Sequence, residues 1–130
     1  MIAAITLLFS IALTSCSFIT YRMGAFLHVS YQEIVNAKVV GSHNSFVVPS
    51  DILTEYVQRI LNVTFKRGNR YKGGGAYLVY LYSLEHTYTL NTCFVRIDER
   101  TGLGITSIDG PNGTIDSVTD EFFQLQHNSL

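Results

Sequence analysis

The sequence predicts an α+β fold with two N-terminal helices, then a three-stranded antiparallel meander, then a short C-terminal helix. Three observations lead to this expectation. Apolar residues recur at helical spacing in the first half of the domain, and the period changes to two after a glycine-rich loop. A capping pattern then precedes a short apolar run near the C terminus. Because helices and strands are segregated along the chain, we expect the helices to cover one face of the sheet.

The first predicted helix begins at Ser30, which is followed three residues later by Glu33, as in an N-terminal capping box. The residues behind it recur at i, i+3, i+4, i+7 and i+8, and this spacing favours a helix over a strand. They are Tyr31, Ile34, Val35, Lys38 and Val39. The polar residues at 41–45 then predict a turn.

The second predicted helix starts at a proline followed by Ser50, which is expected to cap it. Asp51 places negative charge in the first turn, where the helix dipole favours it. Glu55 and Arg59 are spaced to pair on the exposed side. The other side carries an apolar stripe that is expected to enter the core. The stripe consists of Ile52, Leu53, Tyr56, Val57, Ile60 and Leu61.

The strand-forming part of the chain follows the glycine-rich loop. Three strands joined by short turns are predicted over residues 76–82, 87–97 and 103–108. The first has apolar or aromatic side chains on both faces, which predicts a central strand covered on both sides. Gly102 is expected to take the left-handed conformation in the hairpin loop between the second and third strands.

The last predicted element is a short helix near the C terminus. Ser117 is followed by Asp120 three residues later, which resembles a capping box, and an apolar run comes next. We therefore expect a helix that begins close to Ser117 and continues through the two adjacent phenylalanines.

The composition predicts an ordered domain that holds itself together by a hydrophobic core. The chain has 130 residues, of which 47% are hydrophobic and 15% charged, and this size suits one domain. With only Cys16 and Cys93, no framework of several disulfides is available, and Cys93 is expected to be a buried small apolar residue. The net charge of −1 gives no bias toward nucleic acid, so no nucleic-acid partner is expected.

The first sixteen residues are uncharged and mostly apolar, and they end in Leu13-Thr14-Ser15-Cys16. Their length is that of a signal-peptide core, with small residues where a peptidase needs room. The tetrapeptide resembles the lipobox of bacterial lipoproteins. The resemblance implies a signal peptide at 1–15, cleavage before Cys16, and acylation of that cysteine. Residues 16–29 would then be a lipidated tether leading into a small α+β domain at 30–130.

Two other interpretations of the N-terminal segment stay open. One is a secretory signal cut near Ser15 or Ser17. The other is an uncleaved membrane helix, because the uncharged run reaches Tyr21 and about 20 helical residues can cross the hydrocarbon. The lipoprotein interpretation predicts a lipid-anchored protein of the cell envelope, at the outer membrane in a Gram-negative organism. The alternatives predict a secreted or a single-pass membrane protein.

Residues 66–75 form the most unusual loop of the sequence, because charge and glycine are concentrated there. Exposed glycine amides beside basic side chains can cradle an anion, and a tyrosine can stack on a ring. The candidate ligand-binding residues are Lys66, Arg67, Arg70, Tyr71 and Lys72. The loop lacks the spacing of a phosphate-binding loop. The alternative is a solvated connector that can sit near anionic lipid head groups.

No set of residues in the sequence points to catalysis, a metal or a cofactor. The four histidines are scattered and none has metal-ligand spacing to a partner; they are His28, His43, His86 and His127. We therefore predict a non-enzymatic, envelope-anchored interaction or assembly module, comparable to a phage-exclusion lipoprotein. Its sheet, loops or aromatic surface would contact another envelope protein or the cell wall. The alternative is a secreted or periplasmic domain that binds a small anionic ligand through the 66–75 loop, with Tyr71 or Tyr77.

Overall fold

The computed structural model describes residues 19–68, 75–107 and 110–128. Within them the strands are β1 Tyr21–Arg22, β2 Asn36–Val40, β3 Ser45–Val47, β4 Thr64–Arg67, β5 Leu78–Tyr82, β6 Thr87–Leu90, β7 Phe94–Ile97 and β8 Leu103–Ser107. The helices are α1 Met23–Leu27, α2 Ser50–Leu61 and α3 Ile115–Asn128, with a 3-10 turn at Tyr31–Glu33. In these residues the eight strands form one antiparallel sheet in the order β1-β4-β8-β7-β6-β5-β2-β3.

The predicted fold class is therefore wrong. The described part of the chain is mostly β, an eight-stranded antiparallel sheet with three helices, and not two N-terminal helices followed by a three-stranded meander. The largest error is the first predicted helix, because its residues form the 3-10 turn and then β2. In β2 the buried Ala37 and Val39 alternate with the half-exposed Lys38 and Val40. Pairing with β3 and β5 and the β-branched valines favour this period of two.

The second predicted helix is confirmed as α2, and its apolar stripe faces the core. Tyr56, Val57, Ile60 and Leu61 are buried, while Ile52 and Leu53 are half-buried against the same core. Two details of the prediction are wrong. Pro49 is the N-cap, with no side-chain cap bond, and Ser50 is the first helical residue. Arg59 does not take Glu55 as its ion-pair partner. It forms two hydrogen bonds, of 3.0 and 2.7 Å, to Glu121 of the neighbouring α3.

The predicted meander is present in part, but its long strand is divided in two. β5 lies inside the sheet between β6 and β2. Residues 87–97 form β6 and β7, which are separated by a tight turn that begins at Asn91. The hairpin from β7 to β8 is confirmed, but Asp98 has the positive φ, 54°, in place of Gly102. A short polar side chain tolerates this conformation better than most residues do.

The C-terminal helix starts earlier than expected and is 14 residues long. The cap lies at Thr114, because the Ser117 N–H donates to Thr114 Oγ1 at 3.1 Å and the Thr114 N–H donates to Ser117 Oγ at 2.8 Å. This reciprocal pair is a capping box in which Ser117 has the third helical position rather than the cap position. The predicted partner Asp120 instead accepts a hydrogen bond from Tyr77.

One hydrophobic core lies between the sheet and the helices. Side chains of the three helices join every second side chain of the central strands in a single cluster. Members from the helices include Met23, Leu27, Tyr56, Ile60, Val118 and Phe123, and members from the central strands include Ala37, Val39, Val79, Leu81, Leu90 and Val95. The segment assigned to the tether in the sequence thus contributes β1 and α1 to the fold, and Met23 is completely buried. In the described residues the helices cover one face of the sheet.

Candidate functional site

The other face of the sheet, here called the outer face, carries the side chains that point away from the helices. In β5 the buried Val79 and Leu81 alternate with the half-exposed Leu78, Tyr80 and Tyr82. The exposed set does not belong to the core cluster, while the buried set does. Because successive strand residues point to opposite faces, Leu78, Tyr80 and Tyr82 lie on the outer face. The same alternation places Asn36, Lys38 and Val40 of β2 there.

The strand register lines up five outer-face residues, here called the central row. Val47 pairs with Lys38, Lys38 with Tyr80, Tyr80 with Thr89, and Thr89 with Arg96. The row therefore runs from the edge strand β3 across to β7. Neighbouring strands are about 4.8 Å apart, so the backbone positions of its two cations are separated by three intervals, or roughly 14 Å. Lys38 and Arg96 thus lie on either side of Tyr80 and Thr89.

Two tyrosine rings occupy the middle of the outer face. The ring centroids of Tyr80 and Tyr82 are 6.4 Å apart and their planes are inclined by 13°. Thr89, the cross-strand partner of Tyr80, is only 2% exposed although it points outward, so the surrounding side chains close over it. At the edge of the sheet, Val47 is 58% exposed. The outer face therefore presents aromatic and aliphatic groups that reach solvent.

The charged side chains at the strand positions of this surface are cations, and the Asp98 carboxylate that follows β7 is hydrogen-bonded to the Thr87 N–H at one end of the face. Among the outer-face positions of β2, β3, β5, β6 and β7, the charged residues are Lys38 and Arg96, and there is no carboxylate. The acids of the helices lie on the opposite side of the sheet. They are Asp51 and Glu55 of α2 and Asp116, Asp120 and Glu121 of α3. A nearly neutral chain thus presents a positively charged outer face and an acidic helical layer.

The sequence does not predict this surface. Its spacing predicts a helix at Lys38, and the residues of β5 predict a strand covered on both faces. The usable signal was the pair of tyrosines at i and i+2, Tyr80 and Tyr82, which any strand must place on the same side. The exposure of that side depends on where the helices pack, and this does not follow from the strand itself.

The predicted ligand loop is described only at its start. Lys66 and Arg67 are exposed at the end of β4, and as neighbours in a strand they point to opposite faces. They therefore do not converge on one ligand within the strand. Arg70, Tyr71 and Lys72 lie outside the described residues, so anion binding by this loop stays a prediction.

Tyr77, the other tyrosine named with that loop, is already engaged in a contact with α3. Its hydroxyl donates to Asp120 Oδ1 at 2.5 Å, and the neighbouring Ala76 N–H donates to Asp116 Oδ2 at 2.9 Å. The bond to Asp120, followed by partial burial, raises the pKa of Tyr77 to about 12. These bonds attach the start of β5 to the helix, which gives Tyr77 a structural role.

A cleft of about 600 Å³ lies at one end of the sheet, and His86 and Tyr88 help to line it. His86 Nδ1 is 2.7 Å from Asp98 Oδ2, and the Thr87 N–H donates to Asp98 Oδ1 at 2.9 Å. These two bonds, that from Thr87 first, lower the pKa of Asp98. Ser83 Oγ accepts the backbone N–H of His86 and does not bond its ring. Together these hydrogen bonds of Ser83, His86 and Asp98 hold the β5–β6 turn against the β7–β8 hairpin.

The Asp98 contacts predict an acid-sensitive part of the stability. An aspartate titrates near pH 3.9 in the unfolded chain, and in the folded protein its pKa is lower, so its contribution is present above about pH 4. It is lost as the pH falls through the folded-state pKa. In urea unfolding between neutral and acidic pH, the Asp98→Asn variant should show a flatter loss of stability than the wild type.

Asparagine is a suitable replacement because it also tolerates a positive φ. Glu99→Gln, at the exposed neighbouring position, removes the same charge without these bonds and serves as the control. If the free energy of unfolding falls equally with pH in the wild type and in Asp98→Asn, the Asp98 contacts are not the source of the acid sensitivity.

Among the described residues no group of three His, Cys, Asp or Glu side chains is placed to hold a metal ion. Cys93 is a half-buried free thiol, more exposed than the sequence suggested. In the same part of the chain no helix combines the length and the apolar character needed to span a bilayer. Cys16 lies outside the described residues, so the lipid anchor stays a prediction.

Comparison of the chain with protein-family models, characterised proteins and solved structures finds no match. Among the described residues, the outer face with its tyrosines and its two cations is the feature that best supports a function.

Proposed function

We propose that this chain is a non-enzymatic binding module held at the cell envelope by a lipid on Cys16. Its outer face would bind another envelope component, either a protein or the cell wall. One observation carries the proposal: within the described residues the helices cover one side of the sheet, and the other side presents half-exposed aromatic and aliphatic groups.

The composition of the outer face is unusual for a solvated sheet surface. A one-sided antiparallel sheet normally alternates apolar residues toward the core with polar residues toward water. Here the outward set is mixed, because Val40, Val47, Leu78, Tyr80 and Tyr82 point outward together with polar and charged residues. Contiguous exposed apolar groups of this kind mark interaction surfaces. Covering about 200 Å² of apolar area would supply roughly 5 kcal/mol before the costs of association.

The sheet order also suits a protein anchored at its N terminus. Cys16 precedes β1 by five residues, or at most roughly 17 Å of extended chain. β1 lies at one edge of the sheet, and β2 and β3 lie at the other. Six strand intervals separate β1 from β2, about 29 Å along the sheet. A lipid at the N terminus would thus hold one edge near the membrane and leave the central row directed toward other components.

The anchor and the surface are tested separately. Cells that express the wild type should incorporate radioactive palmitate into the protein, and Cys16→Ala should abolish the label. Persistence of the label in Cys16→Ala, or its absence from the wild type, would reject the anchor.

For the surface, crosslinked pull-downs from native membranes should compare the wild type with the double variant Tyr80→Ala/Tyr82→Ala. The control is Tyr31→Ala, which removes a tyrosine that is 37% exposed in the 3-10 turn. We expect the wild type and the control to enrich the same envelope component and the double variant to lose it. Equal enrichment by all three, with melting curves that show folded proteins, would reject the outer face as the binding surface.

A further inference from the structure

We propose that the outer face binds an anionic polysaccharide, with sugar rings lying on Tyr80 and Tyr82 and acidic groups paired with Lys38 and Arg96. The inference rests on the proposed function, because it names the partner of the same surface. It follows from the order of the side chains along the central row and from the charge of the face.

The central row offers alternating contacts for such a polymer. Its side chains that reach solvent are a cation, a tyrosine and a second cation, in the order Lys38, Tyr80, Arg96, while Thr89 lies buried between Tyr80 and Arg96. Aromatic faces carry negative electron density and attract the slightly positive C–H groups of a sugar ring, as they attract other positive edges. The cations, roughly 14 Å apart, can pair with acidic groups on either side of the stacked ring.

Neutral hydrogen-bonding groups flank the second tyrosine in the same way. Tyr82 is the cross-strand partner of Asn36 on one side and of Thr87 on the other. An amide, a hydroxyl and the phenol group can each donate and accept hydrogen bonds. Sugar hydroxyls need partners that do both, so this second row suits the uncharged part of a polysaccharide.

The neighbouring rings of Tyr80 and Tyr82 favour a partner built of rings over a protein that inserts side chains into a pocket. Binding hot spots between proteins are typically desolvated pockets that hold an aromatic or arginine anchor. Two of the clefts between described residues, one beside His86 and one beside Arg59, are not lined by either outer-face tyrosine. A membrane surface is a weaker candidate, because recognition of anionic lipid usually takes four to eight basic residues.

The disposition of charge gives the polymer one preferred side. The helical layer carries the acids of α2 and α3, while the strand positions of the outer face hold cations without a carboxylate. A polyanion would be repelled from the helices and attracted to the outer face. Single-stranded nucleic acid shares the need for aromatic rings and cations, and the predicted export of the chain favours the polysaccharide. Nucleic acid is therefore an alternative outcome of the test.

The experiment measures binding of the full chain, purified in detergent, to hyaluronan as a uronate-bearing probe. The comparison probes are dextran as a neutral polysaccharide, oligothymidylate, and phosphatidylglycerol vesicles. We expect binding to hyaluronan to be the strongest and to weaken as salt is raised. Stronger binding to any of the three comparison probes, or no binding to hyaluronan, would overturn the inference.

Two variants locate the site. Tyr80→Ala/Tyr82→Ala should weaken hyaluronan binding by about tenfold per ring, the effect expected for loss of a stacking contact. Lys38→Gln/Arg96→Gln should weaken it and reduce its salt dependence. The matched control, Arg22→Gln/Arg100→Gln, removes two exposed cations that lie outside both the central row and the 66–75 loop, and it should bind like the wild type. A control that loses as much affinity as Lys38→Gln/Arg96→Gln would overturn the assignment to the outer face.

The result is separable from the test of the proposed function. If hyaluronan does not bind but the pull-down still depends on the two tyrosines, the polysaccharide is rejected and the binding module remains. If Tyr80→Ala/Tyr82→Ala is folded and changes neither the enrichment in the pull-down nor the binding to hyaluronan, both proposals are rejected.

Discussion

Replacing Tyr56 by Ala is expected to lower the free energy of unfolding by about 3–5 kcal/mol, the cost of removing a large buried aromatic side chain. Tyr56 is completely buried in α2. Its ring centroid is 5.3 Å from that of Phe122 and 5.1 Å from that of Phe123, both in α3. The substitution therefore opens a cavity where the two longest helices meet. A domain of this size has a total stability of about 5–15 kcal/mol, so much of it would be lost.

The hydroxyl of Tyr56 contributes a smaller and separable part. It lies 2.8 Å from Thr119 Oγ1, and the Thr119 hydroxyl donates its own hydrogen to the Ile115 carbonyl at 2.7 Å. Thr119 has a single hydroxyl hydrogen, so Tyr56 must be the donor in the shared bond. Burial is the main reason that the pKa of Tyr56 is raised, so the neutral donor form is favoured.

Tyr56→Phe isolates this bond from the packing of the ring. It keeps the ring contacts and should lower the free energy of unfolding by only about 1 kcal/mol, because Thr119 retains its bond to Ile115. Chemical unfolding of the wild type and both variants measures the difference. Equal losses for Tyr56→Ala and Tyr56→Phe would show that the ring contacts with α3 are unimportant.

The parts of the fold that the sequence predicted correctly depend on contacts close in the chain. α2 follows from a local pattern, because one helix face must be apolar wherever the helix packs. The hairpin from β7 to β8 follows from a short loop between two strands. In each case the information lies within about a dozen residues.

The parts that were wrong depend on pairing between distant residues. Val35 fits a helical stripe, yet it is 55% exposed, whereas Ala37 and Val39 are completely buried. That alternation is produced when β2 pairs with β5, some forty residues away. Local spacing is compatible with a helix and with a strand, and pairing within the sheet selects the strand.

The candidate site could not be predicted for the same reason. Lys38 and Arg96 are far apart in the sequence and become part of one row only through the register of four strands. The sequence favours the basic cluster at 66–75 as a site because its residues are consecutive. Strand geometry turns Lys66 and Arg67 to opposite faces, so nearness in sequence was a poor guide to nearness in space.

Asn91 is the residue whose importance the sequence concealed most fully, because it lies inside what was predicted as one strand. It is 3% exposed at the turn between β6 and β7. Its Nδ2 donates to the Tyr77 carbonyl at 2.8 Å, and its Oδ1 accepts the Cys93 N–H at 2.9 Å. Where the chain reverses, the Asn91 side chain thus supplies hydrogen bonds in place of those between paired strands. It also connects the turn to Tyr77, the residue that precedes β5.

Replacing Asn91 by Ala is expected to lower the free energy of unfolding by about 2–3 kcal/mol, because a carbonyl and an N–H lose their partners in a largely buried place. Asn91→Asp should also be destabilising, since its carboxylate can accept from Cys93 but cannot donate to Tyr77. The matched control is Asn112→Ala, at an exposed turn position, and it should stay within about 0.5 kcal/mol of the wild type.

Urea unfolding of the four proteins measures these differences at neutral pH. If Asn91→Asp is as stable as the wild type while Asn91→Ala is not, the bond to Cys93 alone holds the turn and the contact with Tyr77 is dispensable. If Asn91→Ala matches Asn112→Ala, the turn is determined by its backbone alone. A substantial loss in both Asn91 variants shows instead that one side chain ends β6, starts β7 and fixes the register that aligns Thr89 with Arg96 on the outer face.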